Sequence, residues 1–209
     1  MKLRIGMEKD MSDIYSRILE RMRHLCSVRE YCTSDIRLKI DRMLAQTGYG
    51  KDAGQDGYGR ASGTGGDTVG TESAAASAAD MGDMIISSLK KDGYLSDLRY
   101  AAAFARDRAS ISGWGSAKIR YALAAKGLDR DTVSAALEQI DESRASSRLE
   151  KLLETKYRSL ASSSDKESVY RLRDRLIRFA LGRGYSYDDV LPVVDRLAAG
   201  ACREDDNDN

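Results

Sequence analysis

The chain has one proline, one histidine and one tryptophan in 209 residues, and aromatic side chains make up only 7% of it. With Pro192 the sole proline, little interrupts a helix, because a proline inside one removes a backbone donor and crowds the preceding turn. With His24 the sole histidine, proton transfer and metal binding lack their commonest carrier. Its neighbours Arg23 and Leu25 make it an ordinary helical histidine. Cysteine is equally scarce, at Cys26, Cys32 and Cys202. An odd number without a secretion signal predicts reduced thiols and a cytoplasmic protein. Cys26 and Cys32, with only His24 nearby, do not supply the four converging ligands of a zinc site. No apolar run approaches the roughly 20 residues of a membrane span, so no membrane partner is expected. Nothing sets a nucleophile beside a base. The sequence therefore predicts a protein that is not an enzyme, with no catalytic, cofactor-binding or metal-binding residues.

What is present is charge and helix-forming residues. Charged side chains reach 32% and hydrophobic ones 42%, a balance that favours small helical units with thin cores. The net charge of +1 hides an uneven distribution. Lys90 to Arg130 carries nine basic residues against four acidic ones, and Ser143 to Tyr187 carries eleven against five. From Cys202 the last eight residues hold one arginine and four acids. Two basic modules and an acidic tail follow from this pattern.

The stretch Gly93 to Leu128 reads as two amphipathic helices. Leu98, Ala101, Ala102 and Ala105 fall on one face of the first, with Tyr100 and Phe104 alongside, and Ile119, Ala122 and Leu123 on one face of the second. Gly113-Trp114-Gly115 separates them. Ser116 is placed to cap the second helix and Gly127 to end it in the left-handed conformation. A third helix, capped by Asp129 or Asp131, buries Val133, Leu137 and Ile140.

The same unit recurs. Ile36 to Ile40 aligns with Ile119 to Leu123 at an offset of 83, with Tyr31 under Trp114. Ile85 and Leu89 align with Val133 and Leu137 at 48. Arg183-Gly184-Tyr185 aligns with Lys126-Gly127-Leu128 at 57, as do Val190, Val194 and Leu197 with Val133, Leu137 and Ile140. The two offsets of the first copy differ by the length of a segment rich in glycine and poor in bulky aliphatic residues, about 46–80, which holds nine of the eighteen glycines. Such a segment buries too little apolar surface to offset its ordering entropy, and it carries neither a P-loop nor a dinucleotide fingerprint. It is read as a disordered insertion, with alanine propensity alone favouring a short helix at Ser73–Ala79. The expected organisation is a flexible leader 1–10, a first repeat 11–95 containing the insertion, a second repeat 96–141, a third repeat 142–200 and an acidic tail 201–209. Helix one is expected to begin near Ser12 or Asp13. In the third repeat, Leu149, Leu152, Leu153 and Tyr157 face inward on its first helix. Ser164-x-x-Glu167 and Ser186-x-x-Asp189 read as capping boxes, and Pro192 is tolerated best if the last helix starts near Asp189.

The central stretch carries Gly93-Tyr94-Leu95-Ser96-Asp97, Arg99-Tyr100-Ala101, Phe104, Gly115-x-x-Lys118-Ile119-Arg120, Leu123 and Lys126-Gly127-Leu128. With these features it resembles the RecX family, bacterial regulatory proteins that act on RecA recombinase. The resemblance implies an all-α protein of tandem three-helix, helix-turn-helix-like repeats in an elongated, curved arrangement. It also implies a role in recombination, DNA repair and the SOS response through the RecA–DNA filament. The departure from the family is the Gly-rich insertion.

The candidate contact residues are the basic positions and one aromatic: Arg99, Arg106, Arg108, Trp114, Lys118, Arg120 and Lys126 in the second repeat, and Arg171, Arg175, Arg178 and Arg183 in the third. Arg171, Arg175 and Arg178 share one helix face. Lys118 and Arg120 lie about 200° apart on a 3.6-residue helix, so one of them is free to buttress a neighbouring repeat. Trp114 fits either the packing of its turn or stacking on a partner. Three functions fit: a monomer that binds the RecA filament and inhibits its ATPase and strand exchange, with single- or double-stranded DNA as a further contact; a helix-turn-helix DNA-binding protein acting without RecA; or a helical scaffold for an unrelated partner. The helices that begin A-K-I-R and K-E-S-V carry little base-reading chemistry at their N-termini, which weighs against sequence-specific DNA recognition.

Overall fold

The structure, a computed structural model, describes residues 2–47, 69–161 and 169–205, with side chains described over 11–47, 78–141, 143–160 and 170–199. Among the described residues all regular structure is helical. They divide into two compact units, Met1–Asp97 and Leu98–Asn209.

The first unit is a three-helix bundle of α1 (Lys2–Val28), α2 (Thr33–Gln46) and α3 (Val69–Lys91), each packed on the other two. Ile18, Met22, Ile36, Ile40, Met81, Ile85 and Leu89 form its core. α1 starts at Lys2, well ahead of the expected Ser12, because Leu3, Arg4, Met7, Glu8 and Lys9 are all good helix formers and only Gly6 interrupts them. The stretch expected to be a loose leader is thus helical from Lys2. α3 is also longer than expected. It runs unbroken from Val69, so 69–80 of the segment read as an insertion is helical. The alanines from Ala74 to Ala79 sustain it, and Met81, 2% exposed, anchors it to the core. At its other edge Gln46 is the last residue of α2 and Thr47 its C-cap; 48–68 lies outside the described residues.

α2 has no cap of its own. Cys32 stands at the N-cap position without a side-chain capping bond; its thiol instead meets the Ser34 hydroxyl at 3.2 Å, and burial pushes its thiol pKa up. The helix end is completed instead by Asp97, whose carboxylate accepts from the Thr33 amide at 2.7 Å and the Thr33 hydroxyl at 2.6 Å. Lys90 approaches the same carboxylate at 3.4 Å.

The second unit carries two helical groups. α4 (Asp97–Ser110), α5 (Ser116–Ala124) and α6 (Arg130–Glu138) enclose a thin core of Ala101, Ala105, Ala109, Ile119, Leu123, Val133 and Ala136. Leu137 and Ile140 pack at its edge. Leu98 does not join it: it shares the face of α4 but lies in the first turn, 45% exposed. α7 (Glu142–Ala161), α8 (Val169–Gly182) and α9 (Tyr187–Asp205) enclose a core of Leu149, Leu153, Leu172, Leu176, Ile177, Tyr185, Val190 and Val194. α9 extends to Asp205, into the stretch read as an acidic tail. The expected capping box Ser164–Glu167 lies outside the described residues.

The repeat offsets reappear as matched hydrogen bonds. Gly127 (φ 77°) and Gly184 (φ 88°) are both left-handed. Leu128 N donates to Leu123 O and Tyr185 N to Ala180 O, at 3.4 and 3.3 Å. Val133 N donates to Asp129 O and Val190 N to Ser186 O. Each pair is separated by 57 residues. Asp129 caps α6, accepting from the Thr132 hydroxyl and amide, and those bonds hold its carboxyl below the usual range. Ser186 and Asp189 form the expected box at α9, with Ser186 Oγ accepting from the Asp189 amide and donating to its carboxylate. α9 nevertheless begins at Tyr187, leaving Pro192 inside the helix. The missing donor would have served Asp188, an exposed first-turn residue whose carbonyl water can satisfy.

Candidate binding surface

The predicted contact residues separate into two sets. Arg108, Trp114, Lys118 and Arg183 gather where the loop between α4 and α5 meets the end of α8. Trp114 meets Phe104 edge-on at 6.4 Å, and Phe104 stacks on Tyr100. Above the indole lie the Lys118 ammonium at 4.8 Å and the Arg108 guanidinium at 5.1 Å. Lys118 Nζ also donates to the Gly182 carbonyl at 3.2 Å. Arg183 Nη1 donates to the Ser112 carbonyl at 2.7 Å, and its guanidinium lies over Phe179. Trp114 therefore packs its turn. Lys118 is the member of the Lys118–Arg120 pair that buttresses the neighbouring group.

Arg99, Arg106, Arg120, Arg171, Arg175 and Arg178 form the second set, all exposed. They spread over α4, α5 and α8. Lys126 is half-buried in the turn that follows α5. Beside these cations stand exposed aromatic rings, Tyr121 on α5 at 78% and Tyr170 on α8 at 82%. Neither tyrosine stood out in the sequence, because each falls within a helical pattern where an aromatic reads as core. Other arginines of α8 and α9 are committed to ion pairs, Arg173 with Asp195 and Arg196 with Glu150, both at 2.9 Å.

The contact that orders this region is between backbones. The N-cap of α5 is Gly115 rather than Ser116, and it has no side-chain bond. Gly115 N donates to Arg183 O at 2.9 Å and Ala117 N donates to Gly184 O at 3.2 Å. The first orphan amides of α5 are thus satisfied by the turn that ends α8. A Cβ at Gly115 would run into the Gly184 carbonyl, and one at Gly184 into the Lys118 backbone and Cβ. Sequence reasoning missed Gly115 as a junction residue. The available signal was its repeat partners, Cys32 and Leu172, which both carry side chains.

Among the described residues no group of three or more His, Cys, Asp or Glu could hold a metal ion, and no helix is long and apolar enough to cross a membrane. Fold and side-chain placement together define an all-helical protein built of tandem three-helix units. Residues 96–137 match the family model for the RecX second three-helix domain. The chain is 38% identical over 110 residues to the regulatory protein RecX of Clostridium perfringens strain SM101, covering 52% of this chain and 50% of that protein. It is 30% identical over 111 residues to the regulatory protein RecX of Shewanella oneidensis, covering 49% of this chain and 87% of that one. The crystal structure of RecX from Lactobacillus salivarius superposes with a TM-score of 0.64 at 17% identity, over 89% of this chain and 97% of that one, a likeness of fold. The chain belongs to the RecX family of regulatory proteins. It spans about half the length of the clostridial relatives it matches.

Proposed function

We propose that this protein binds the RecA–DNA filament in the cytoplasm as a monomer and slows its ATPase and strand exchange in recombination and repair. The observation that carries the reading is the exposure of Arg99, Arg106, Arg120, Arg171, Arg175 and Arg178 along α4, α5 and α8. Cations distributed over a repeated scaffold suit an extended acidic polymer, because several weak contacts reinforce one another when their spacing fits the target. DNA phosphate within the filament is a further contact for the same residues. Reading of bases by the start of α5 is disfavoured, since its leading amides at Gly115 and Ala117 are occupied by carbonyls of the α8 turn.

The test is a titration of RecA ATPase on single-stranded DNA. Inhibition is expected with fewer molecules than RecA protomers, and it should weaken when Arg171, Arg175 and Arg178 are all changed to glutamate. Inhibition unchanged by that triple substitution would remove α8 from the contact surface. Tight, salt-sensitive duplex binding with no effect on RecA would replace the filament reading with that of a DNA-binding protein acting alone.

A further inference from the structure

The caps of α2 and α5 differ in stiffness. α2 is finished by a carboxylate, Asp97, on a side chain with rotatable bonds. α5 is finished by main-chain carbonyls of Arg183 and Gly184, with no rotatable side chain between the two helices. The Arg183–Ser112 and Lys118–Gly182 bonds flank that seam from opposite directions. Close approach on this scale needs the absence of a side chain on both strands of the contact. Gly115 is buried, and so is Gly184, whose φ of 88° a side chain would strain as well.

We propose that Gly115 and Gly184 are positioning residues: they fuse the groups α4–α6 and α7–α9 into one rigid binding body, and filament engagement depends on the fixed separation this gives the cations of α5 and α8. The proposal rests on the filament reading above. Arg120 belongs to the helix that the seam begins, and Arg171, Arg175 and Arg178 belong to the helix that the seam ends. A tight seam presents both sets together, without the ordering cost of aligning them at the moment of binding. A loosened seam lowers the effective concentration of the second set once the first is engaged.

The repeat itself supplies the control. Gly127 is the counterpart of Gly184 and is left-handed too, at φ 77°, but a Cβ there would meet nothing within 4 Å. Gly127→Ala therefore carries the backbone strain without the collision, and Gly184→Ala carries both. The full chain of each variant is compared with the unaltered protein by amide hydrogen exchange and by RecA ATPase titration. Gly184→Ala should speed exchange at the Gly115 and Ala117 amides about tenfold or more and raise the half-inhibitory concentration about tenfold, a modest loss of multivalent gain. Gly127→Ala should leave both near the unaltered values. Should Gly184→Ala fail to fold, Arg183→Met, which loses the bond to Ser112 and the guanidinium over Phe179 but keeps the backbone seam, should give the same pattern of exchange in weaker form.

Protected Gly115 and Ala117 amides in both Gly184→Ala and Arg183→Met would overturn the seam, whatever RecA does. Faster exchange with undiminished inhibition would overturn the positioning role alone. An unaltered protein with no effect on RecA would overturn the filament reading, while the exchange arm still decides whether the seam is rigid.

Discussion

Truncating Leu123 to alanine probes how little holds the second three-helix group together. Leu123 is fully buried, and its core neighbours include four alanines, Ala101, Ala105, Ala109 and Ala136. Alanine has no rotamers with which to fill a void, so the space left by the leucine stays open. Buried Leu→Ala changes cost about 2.7–5.0 kcal/mol, rising with the volume that fails to collapse. An alanine-lined site belongs in the upper part of that range, about 4 kcal/mol. With a urea dependence of about 2 kcal/mol/M, the unfolding midpoint should fall by about 2 M. Leu44→Ala in the first unit is the comparison. Leu44 is 2% exposed, but its core holds Met22 and Met81 with Met43 packed against it, and methionine adapts to irregular gaps. The loss there should lie nearer 3 kcal/mol.

Trp114 makes the assay local. It is the sole tryptophan and packs on Phe104 beside the core that Leu123 helps to form. Urea unfolding followed by its emission reports on the second group, and circular dichroism reports on all the helices. A loss below about 1.5 kcal/mol at Leu123, or a larger loss at Leu44 than at Leu123, would refute the argument from an alanine-lined core.

The Asp97 cap gives a second prediction: Asp97→Ala should destabilise the first unit by about 1–2 kcal/mol in urea unfolding, because it strips both acceptors from Thr33, and an unchanged midpoint would show α2 to be indifferent to its cap. A third concerns pH. The Asp129 carboxyl titrates below its ordinary value because the Thr132 hydroxyl and amide bond to the ionised form. Its contribution is therefore complete above the unfolded pKa and is lost as pH falls through the folded one. Asp129→Asn keeps an acceptor at the cap but cannot titrate, so its stability should fall less steeply on acidification than that of the unaltered protein, as measured by melting between pH 6 and about pH 3.

Much of the architecture was legible because the repeats constrain one another. Gly127 and Gly184 were aligned by offset alone, and they prove to share one left-handed turn with the same hydrogen bonds. Ser186 and Asp189 advertised a cap by residue type and made it. Helix lengths were less legible. The alanines from Ala74 onward read as a short local helix, yet Met81 gives that stretch a core to continue into. Leu98 had the right angular position on α4 and the wrong height along it. The candidate surface was legible as charge but not as geometry. Periodicity separated Lys118 from Arg120, but only the Gly182 carbonyl shows which of them turns inward. Ser116 was the better cap by residue type and lost to Gly115, because the cap comes from a partner carbonyl that needs an empty space beside it. Long-range backbone contacts of that kind leave no local pattern.

The cap on α2 and the bracing of α5 share a separation: Thr33 waits for Asp97, and Lys118 for Gly182, each 64 residues further on. A ribosome delivers those residues some seconds later, at about 5–20 residues per second. Each second helix therefore emerges with its leading end unfinished, and completes only when the following segment has cleared the exit tunnel. Synthesis would then stitch the molecule from behind, each newly released stretch fastening the one before it.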